Sequence, residues 1–438
     1  MVLLNFPNGT RTGLESFYTA HALRCTTLFQ RSAKFLRLFC ELYEFILTKH
    51  PIKKLWNRSD RLATVELFVF GAALEKLQRT QPEWLKMTLK KVKTNESCIG
   101  FITEIITCAQ LEVIKGKLEP AGNNQKGYDL VASYEHGAKH FISVKNHDVS
   151  KAQKEFNQHS KYVRTLWRQK LRLEKQNLAL RVLSDRPLSE KDFDHIKGYI
   201  QNDIDLWNRE SVRVSEGVTV IVVPLYRSEG SLSKNHTSDM FMVVAPGPAS
   251  EQLRFERRIF AAAANMKKNI AVDEQTSNVI FMRVHINADL NYLFEVAQEI
   301  LNKDASGVDC ILFYQPSYGR DSENRSSLSN TFKPAINMRY IQSLAGRPAY
   351  RISPALGYVC FESSTLVGIM DGNRSQPFPP NMYIFQKGDI YIVSDKPGEG
   401  NMSSPAIGIR EHAVLNFQGQ EMTVTGKIFP LSDDLLIV

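Results

Sequence analysis

The sequence lacks any apolar run approaching the ~20 residues that a membrane-spanning helix needs. Its longest such run, around Leu67 to Leu74, is far shorter. Met1 to Asn5 shows no basic stretch leading into a secretory apolar core, so a cytoplasmic protein with no membrane partner is expected. Cysteine is sparse. Cys25, Cys40, Cys98, Cys108, Cys310 and Cys360 make no CxxC pair and no zinc-ligand spacing with histidine, and their apolar surroundings read as those of reduced core residues. There is no GxxxxGK[ST], HExxH or GxSxG, which leaves ATPase, zinc-protease and α/β-hydrolase chemistry without support. Ser231 and Lys234 match an SxxK spacing, but in a polar stretch where so short a match arises by chance. Internal repeats and low-complexity blocks are also missing.

What is present is ordinary globular composition: 43% hydrophobic and 23% charged residues argue against disorder, and 438 residues call for two or three domains. The net charge of +9 favours an anionic partner, although solubility alone would also account for it, so the placement of the charge has to decide. From Leu14 to about Lys93 the period is helical, with Leu28, Phe35, Phe39, Leu42 and Ile46 at three-, four- and seven-residue steps. From Cys98 to about Tyr318, helical stretches (Arg254 to Lys268, Leu290 to Lys303) alternate with strand-like runs (Val218 to Val223, Met240 to Val244, Val279 to Val284, Asp309 to Phe313), an α/β signature. Gly319 to Ser329 reads as a loop or linker. Beyond it come short apolar runs at Tyr358 to Phe361, Met382 to Phe385, Ile390 to Val393, Ile407 to Ile409 and Met422 to Val424. Separated by turns, they suggest a small β-sandwich or barrel. The expected division is therefore a helical domain at 1–95, an α/β core at 96–330 and a β-rich domain at 331–438.

The segment Ile99 to Asp148 is the one that suggests chemistry. Phe101, Ile105 and Cys108 mark the apolar face of a helix, and Glu104 sits beside that face rather than in the middle of the polar one. Tyr128 to Tyr134 and His140 to Lys145 alternate like strands, joined by Glu135 to Lys139 with Gly137 at the centre. A hairpin symmetric about Gly137 places Asp129 opposite Lys145 on one face, which Ser143 shares. Asn146, His147 and Asp148 follow, either to touch metal-bound water or a phosphate, or as a polar strand end leading to a helix capped by Asp148 or Ser150. His136 and His140, in or beside the hairpin loop, read as exposed polar residues rather than metal ligands.

An apolar helix with one Glu, a Gly-Tyr-Asp leading a strand and a second strand ending in Val-Lys resemble the PD-(D/E)XK nuclease superfamily over residues 97 to 165. The resemblance implies a restriction-endonuclease-like mixed sheet with flanking helices and a metal-dependent endonuclease. Asp129 and the Val144 carbonyl would be ligands of Mg²⁺, with Mn²⁺ as substitute, and Lys145 would be the catalytic lysine, with Ser143 and Asn146 as auxiliaries. Ser143 stands where the family places an acid, and a neutral hydroxyl is a poorer ligand for a hard dication than a carboxylate. Either Glu104 supplies that acid from the helix, the reading favoured, or the site binds nucleic acid without cutting it.

Lys151 to Arg181 reads as one long helix, on which Lys161, Arg164, Arg168, Arg172 and Lys175 form a basic stripe that either tracks phosphates or is a solvated face. The expected substrate is nucleic acid, DNA favoured. Cutting both strands would call for a homodimer, though no interface is legible. Chains of this architecture resemble antiviral-defence nucleases of bacteria, which implies a protein trigger bound by the C-terminal domain, roughly Pro348 to Val438.

Overall fold

In the computed structural model the residues described are 50–52, 61–94, 98–122, 125–174, 178–203, 210–224, 240–270, 275–303, 307–320, 326–344, 350–355, 358–360, 368–371, 374–377, 384–394, 412–417 and 420–425. Helices α1 (Arg61–Thr80), α2 (Pro82–Thr94) and α3 (Ile99–Gln110) lead the chain. Leu67, Phe70, Leu74 and Leu77 of α1, Leu85 and Val92 of α2, and Ile102, Ile105 and Ile106 of α3 enter one core with Leu130, Ile142, Val144 and Phe281. The expected boundary at residue 95 therefore falls inside a core rather than between two. The helical residues expected before His50 lie outside the described residues, as do Cys25, Cys40, Lys175, Ser231, Lys234 and Ile407 to Ile409. Cys98, Cys108 and Cys310 are buried free thiols, as expected of reduced core residues.

After β1 (Leu111–Val113) and β2 (Gly116–Pro120), the hairpin forms from β3 (Leu130–Tyr134) and β4 (Lys139–His147). Its turn is tighter than expected. The Gly137 N–H donates to the Tyr134 carbonyl at 3.0 Å, the Tyr134 N–H donates to the Ala138 carbonyl at 2.9 Å, and Gly137 takes φ 95°. This is the three-residue loop with a left-handed glycine that closes hairpins through a bulge. The pairing Leu130↔Ile142 and Val131↔Phe141 makes His136, not Gly137, the centre. The register thus differs from the expected one by two residues. A slip of two preserves the face of every side chain, because the side-chain period is two.

Strand β4 passes into α4 (Lys151–Glu174), and the chain then turns into strand β5 (Leu178–Ser184), so the single helix expected to Arg181 ends early. Leu178, Ala179, Leu180 and Val182 are buried in a strand paired on both sides, and that tertiary burial outweighs a helix propensity adequate on its own. Next come α5 (Glu190–Gly198), β6 (Glu210–Ser215), β7 (Val218–Pro224) and β8 (Met240–Pro246). The chain then runs through α6 (Ser250–Asn269), β9 (Thr276–Val284), α7 (Leu290–Asn302), β10 (Cys310–Arg320), β11 (Ser326–Ile336), α8 (Met338–Leu344), β12 (Tyr350–Ile352) and β13 (Tyr358–Cys360). Of the stretch expected as a linker, Gly319 and Arg320 belong to β10 and Ser326 to Ser329 to β11, while residues 321–325 lie outside the described residues.

The protein is α/β with mixed sheets. A seven-stranded sheet has the order β13-β11-β10-β9-β4-β3-β2, in which β4, β9 and β10 run parallel. A six-stranded sheet is completed by β16 (Ile384–Lys387) and β17 (Ile390–Ser394), in the order β16-β17-β8-β5-β7-β6. Phe156, Val163, Trp167 and Leu171 of α4 pack on it with Phe193, Val220 and Phe241. The strands after residue 331 do not make the expected self-contained sandwich. Among the described residues, β12 pairs with β1, β13 joins the first sheet, β16 and β17 join the second, and only β14 (Gly368–Asp371), β15 (Arg374–Pro377), β18 (His412–Phe417) and β19 (Gln420–Thr425) form a sheet of their own. No helix among the described residues is long and apolar enough to cross a membrane.

Candidate functional site

Asp129 stands one residue before β3. Its N–H donates to the Ile142 carbonyl at 2.8 Å and its carbonyl accepts from the Ala121 N–H at 2.8 Å. At the next rung a side chain replaces the backbone: the Val144 N–H donates to Asp129 Oδ2 at 2.7 Å, and Ser143 Oγ donates to the same oxygen at 3.4 Å. The carboxylate thus closes the ladder and is itself fixed. Lys145 Nζ lies 3.5 Å from Asp129 Oδ2 and donates to the Val144 carbonyl at 3.0 Å. The Lys145 and Asp129 side chains remain 35% and 26% exposed, so a ligand can reach both.

Glu104 arrives from α3, half-buried among Ile102, Thr103, Ile105 and Ile106. Desolvation, followed by the negative charge of Asp129, pushes its carboxyl up to about 7, while Lys145 and Lys91 pull the other way. Glu104, Asp129 and Lys145, distant in sequence, therefore share one electrostatic environment. A dication would reverse the repulsion between the two carboxyls, which makes Glu104, Asp129 and the Val144 carbonyl a donor set it could use. Among the described residues no three His, Cys, Asp or Glu side chains gather around a metal position.

A carboxyl that binds its proton more tightly folded than unfolded contributes stability that is complete below its unfolded pKa of ~4.3. That contribution is lost as pH rises through about 7. In chelator, Glu104→Gln should therefore melt higher than the parent at about pH 8 and lose that advantage by about pH 4. Parallel melting curves across that range would contradict the assignment.

Beyond Lys145 the strand ends among cations. The Arg258 guanidinium donates to the Asn146 carbonyl, and Arg283 pairs with Asp148 at 3.6 Å. His147 stacks on His285 at 5.6 Å and meets Phe255 edge-on at 5.3 Å. Burial first, then Arg258 and Arg254, push His147 down to about 3, and His285 is also lowered, so both rings are neutral at physiological pH. Ser150 caps α4: its Oγ accepts from the Gln153 N–H at 2.9 Å. Of the two expected caps it is therefore Ser150, while Asp148 serves Arg283.

The expected basic stripe lies on α4, beyond its first turns. Lys161, Arg164 and Arg168 are half-buried and Arg172 is exposed on the part of α4 that packs on the second sheet. Lys161 is about 15 Å along the helix from Lys151 at ~1.5 Å per residue. The cations beside the strand end are instead Arg254, Arg258 and Arg283, with Lys91 near Glu104. The sequence signal for Arg254 and Arg258 was their four-residue spacing within a helical stretch. The reading of His140 as exposed is also corrected. It is fully buried, with Nδ1 2.9 Å from the Tyr350 hydroxyl and 3.2 Å from that of Tyr134. Comparison of the chain with family models, with curated proteins and with solved structures returns no match.

Proposed function

We propose that the chain is a metal-dependent nuclease of the PD-(D/E)XK type, with a restriction-endonuclease-like arrangement around β3 and β4, hydrolysing phosphodiester bonds in nucleic acid, DNA favoured. The observation that carries this reading is the convergence of Glu104, Asp129 and Lys145, with the two carboxyls in mutual repulsion. Mg²⁺ held by Glu104, Asp129 and the Val144 carbonyl would supply a polarised phosphoryl oxygen and an acidified water. Lys145 then neutralises negative charge developing on the phosphoryl oxygens as water attacks phosphorus and the leaving oxygen departs. Asp129, anchored to the Val144 N–H, holds its geometry without ligand, which lowers the cost of reorganisation on binding. Ser143 spends its hydroxyl on Asp129, so it positions that acid rather than replacing the missing one. The wider reading, a defence effector triggered by a protein and cutting as a homodimer, rests on the resemblance alone.

The same Ser143 observation favours one alternative, a site that binds nucleic acid without cutting. The test is to incubate the full chain with supercoiled plasmid in Mg²⁺, in Mn²⁺ and in chelator. Nicking or linearisation with either metal and none in chelator is expected. Cleavage that persists in chelator would overturn the reading, and binding without cleavage in either metal would favour the alternative.

A further inference from the structure

The end of β4 and β9 holds a feature that the cleavage chemistry leaves unused. These strands are parallel, and their carboxyl ends open beside the first turn of α4 and one face of α6, the position at which open α/β sheets receive ligands. Buried polar atoms collect there: Nδ1 of His147, Nδ1 of His285 and Nε2 of Gln153 have no hydrogen-bond partner, on side chains 6%, 7% and 1% exposed. Native interiors seldom leave such groups unsatisfied without a water or ligand to meet them.

Two half-exposed cations one helical turn apart, Arg254 and Arg258, act on His147. Of the nearby acids, Asp148 is engaged by Arg283, and Glu251 shares the field of Arg258. Tyr391, whose hydroxyl is buried without a hydrogen-bond partner, feels the charges of both Glu251 and Arg254. Arg258, by holding the Asn146 carbonyl, sits one residue from Lys145.

We propose that Arg254 and Arg258, with the first turn of α4, form a phosphate clamp that grips the nucleic-acid backbone at a phosphodiester next to the one presented to Lys145. The inference rests on the nuclease reading for its ligand, but its recognition is sequence-independent and needs no metal. Guanidinium groups suit the forked geometry of a phosphodiester, and the positive end of the helix dipole adds potential of the same sign. The clamp sets the register of the strand in the site and reads no base.

The experiment measures binding rather than cutting. The full chain is titrated into a fluorescein-labelled DNA duplex in chelator, and anisotropy is followed over a salt series. The Arg254→Gln, Arg258→Gln double variant should bind about tenfold or more weakly, with the salt slope shallower by about two, one for each lost phosphate contact. Replacing both by lysine should restore most of the slope, because the charges return. Should Arg258→Gln fail to fold, since Arg258 braces the Asn146 carbonyl, Arg254→Gln alone carries the test, with a slope change of about one. Unchanged affinity and slope overturn the clamp, as does a parent chain that binds no duplex. Inorganic phosphate that raises the melting temperature of the parent but not of the variant, with duplex binding equal in both, assigns a free-anion site and also overturns it. Loss of the expected slope in a chain that cuts removes only the clamp, whereas the expected slope in a chain that never cuts removes only the nuclease reading.

Discussion

On the proposed nuclease reading, Lys145→Ala should slow metal-dependent cleavage by about 10²–10³-fold, the range seen when one preorganised charge-stabilising group is removed from a reaction centre. The side chain is 35% exposed and its bonds run to the Val144 carbonyl and Asp129, so its loss leaves the core untouched and little stability should change. Asp129→Asn should lower the rate by a comparable factor for a different reason. An amide oxygen can still accept from the Val144 N–H, so the hairpin keeps its closure, but the carboxylate charge is gone. The two variants differ in a way that activity does not report. Removing the negative charge of Asp129 should lower the Glu104 pKa from about 7, whereas removing the Lys145 ammonium should raise it further. Carbon NMR of Glu104 in chelator reads both shifts. Movement of both in one direction, or cleavage unaffected by either substitution, would break the assignment.

The approach of Asp129 to Lys145 was legible in sequence because strand alternation survives a register error. The hairpin centre lies at His136 rather than Gly137, and Asp129 faces Ser143 across the ladder rather than Lys145, yet the face is the same. Glu104 was legible from its place beside an apolar helix stripe. What stayed hidden depends on distant contacts. His140 looks like a loop residue until Tyr134 and Tyr350 close over it, and Tyr350 arrives from 210 residues away. Leu178 to Ser184 looks like a helix end until β7 and β8 take it as a central strand. The apolar runs after residue 331 show their strand character, but no local pattern records that β16 and β17 extend a sheet begun with β5, or that β12 pairs with β1. Arg254 and Arg258 share helical spacing with the α4 stripe. Only the parallel pairing of β4 with β9 distinguishes them, because it brings α6 to the end of the strand that carries Lys145.

Asp192→Ala should cost the largest share of folding stability, about 2–4 kcal/mol, by emptying the ionic junction of the second sheet. Asp192 is 3% exposed and saturated: Arg186 donates to its two oxygens at 2.8 and 2.7 Å, the Ser189 N–H at 2.9 Å, Ser189 Oγ at 2.6 Å and Ser215 Oγ at 2.7 Å. The Asp192 N–H returns a bond to Ser189 Oγ, the capping box that starts α5. Alanine leaves these donors facing a void, although Arg186, 39% exposed, recovers some solvation, which keeps the cost below that of a fully buried pair. The Arg186 hydrogen bond, ahead of the others, holds the Asp192 carboxyl well below the usual carboxylate range. A depressed carboxyl contributes stability that is present above its unfolded pKa of ~3.9 and is lost as pH falls toward the folded value. The gap between parent and Asp192→Ala in urea unfolding should therefore be full at neutral pH and narrow below about pH 4. Since α4 packs on this sheet through Phe156, Val163 and Trp167 while its first turn belongs to the proposed clamp, the variant also separates anchoring from chemistry. Under folding conditions its cleavage rate should stay near that of the parent, and a loss below about 1 kcal/mol at neutral pH would show that the junction is dispensable.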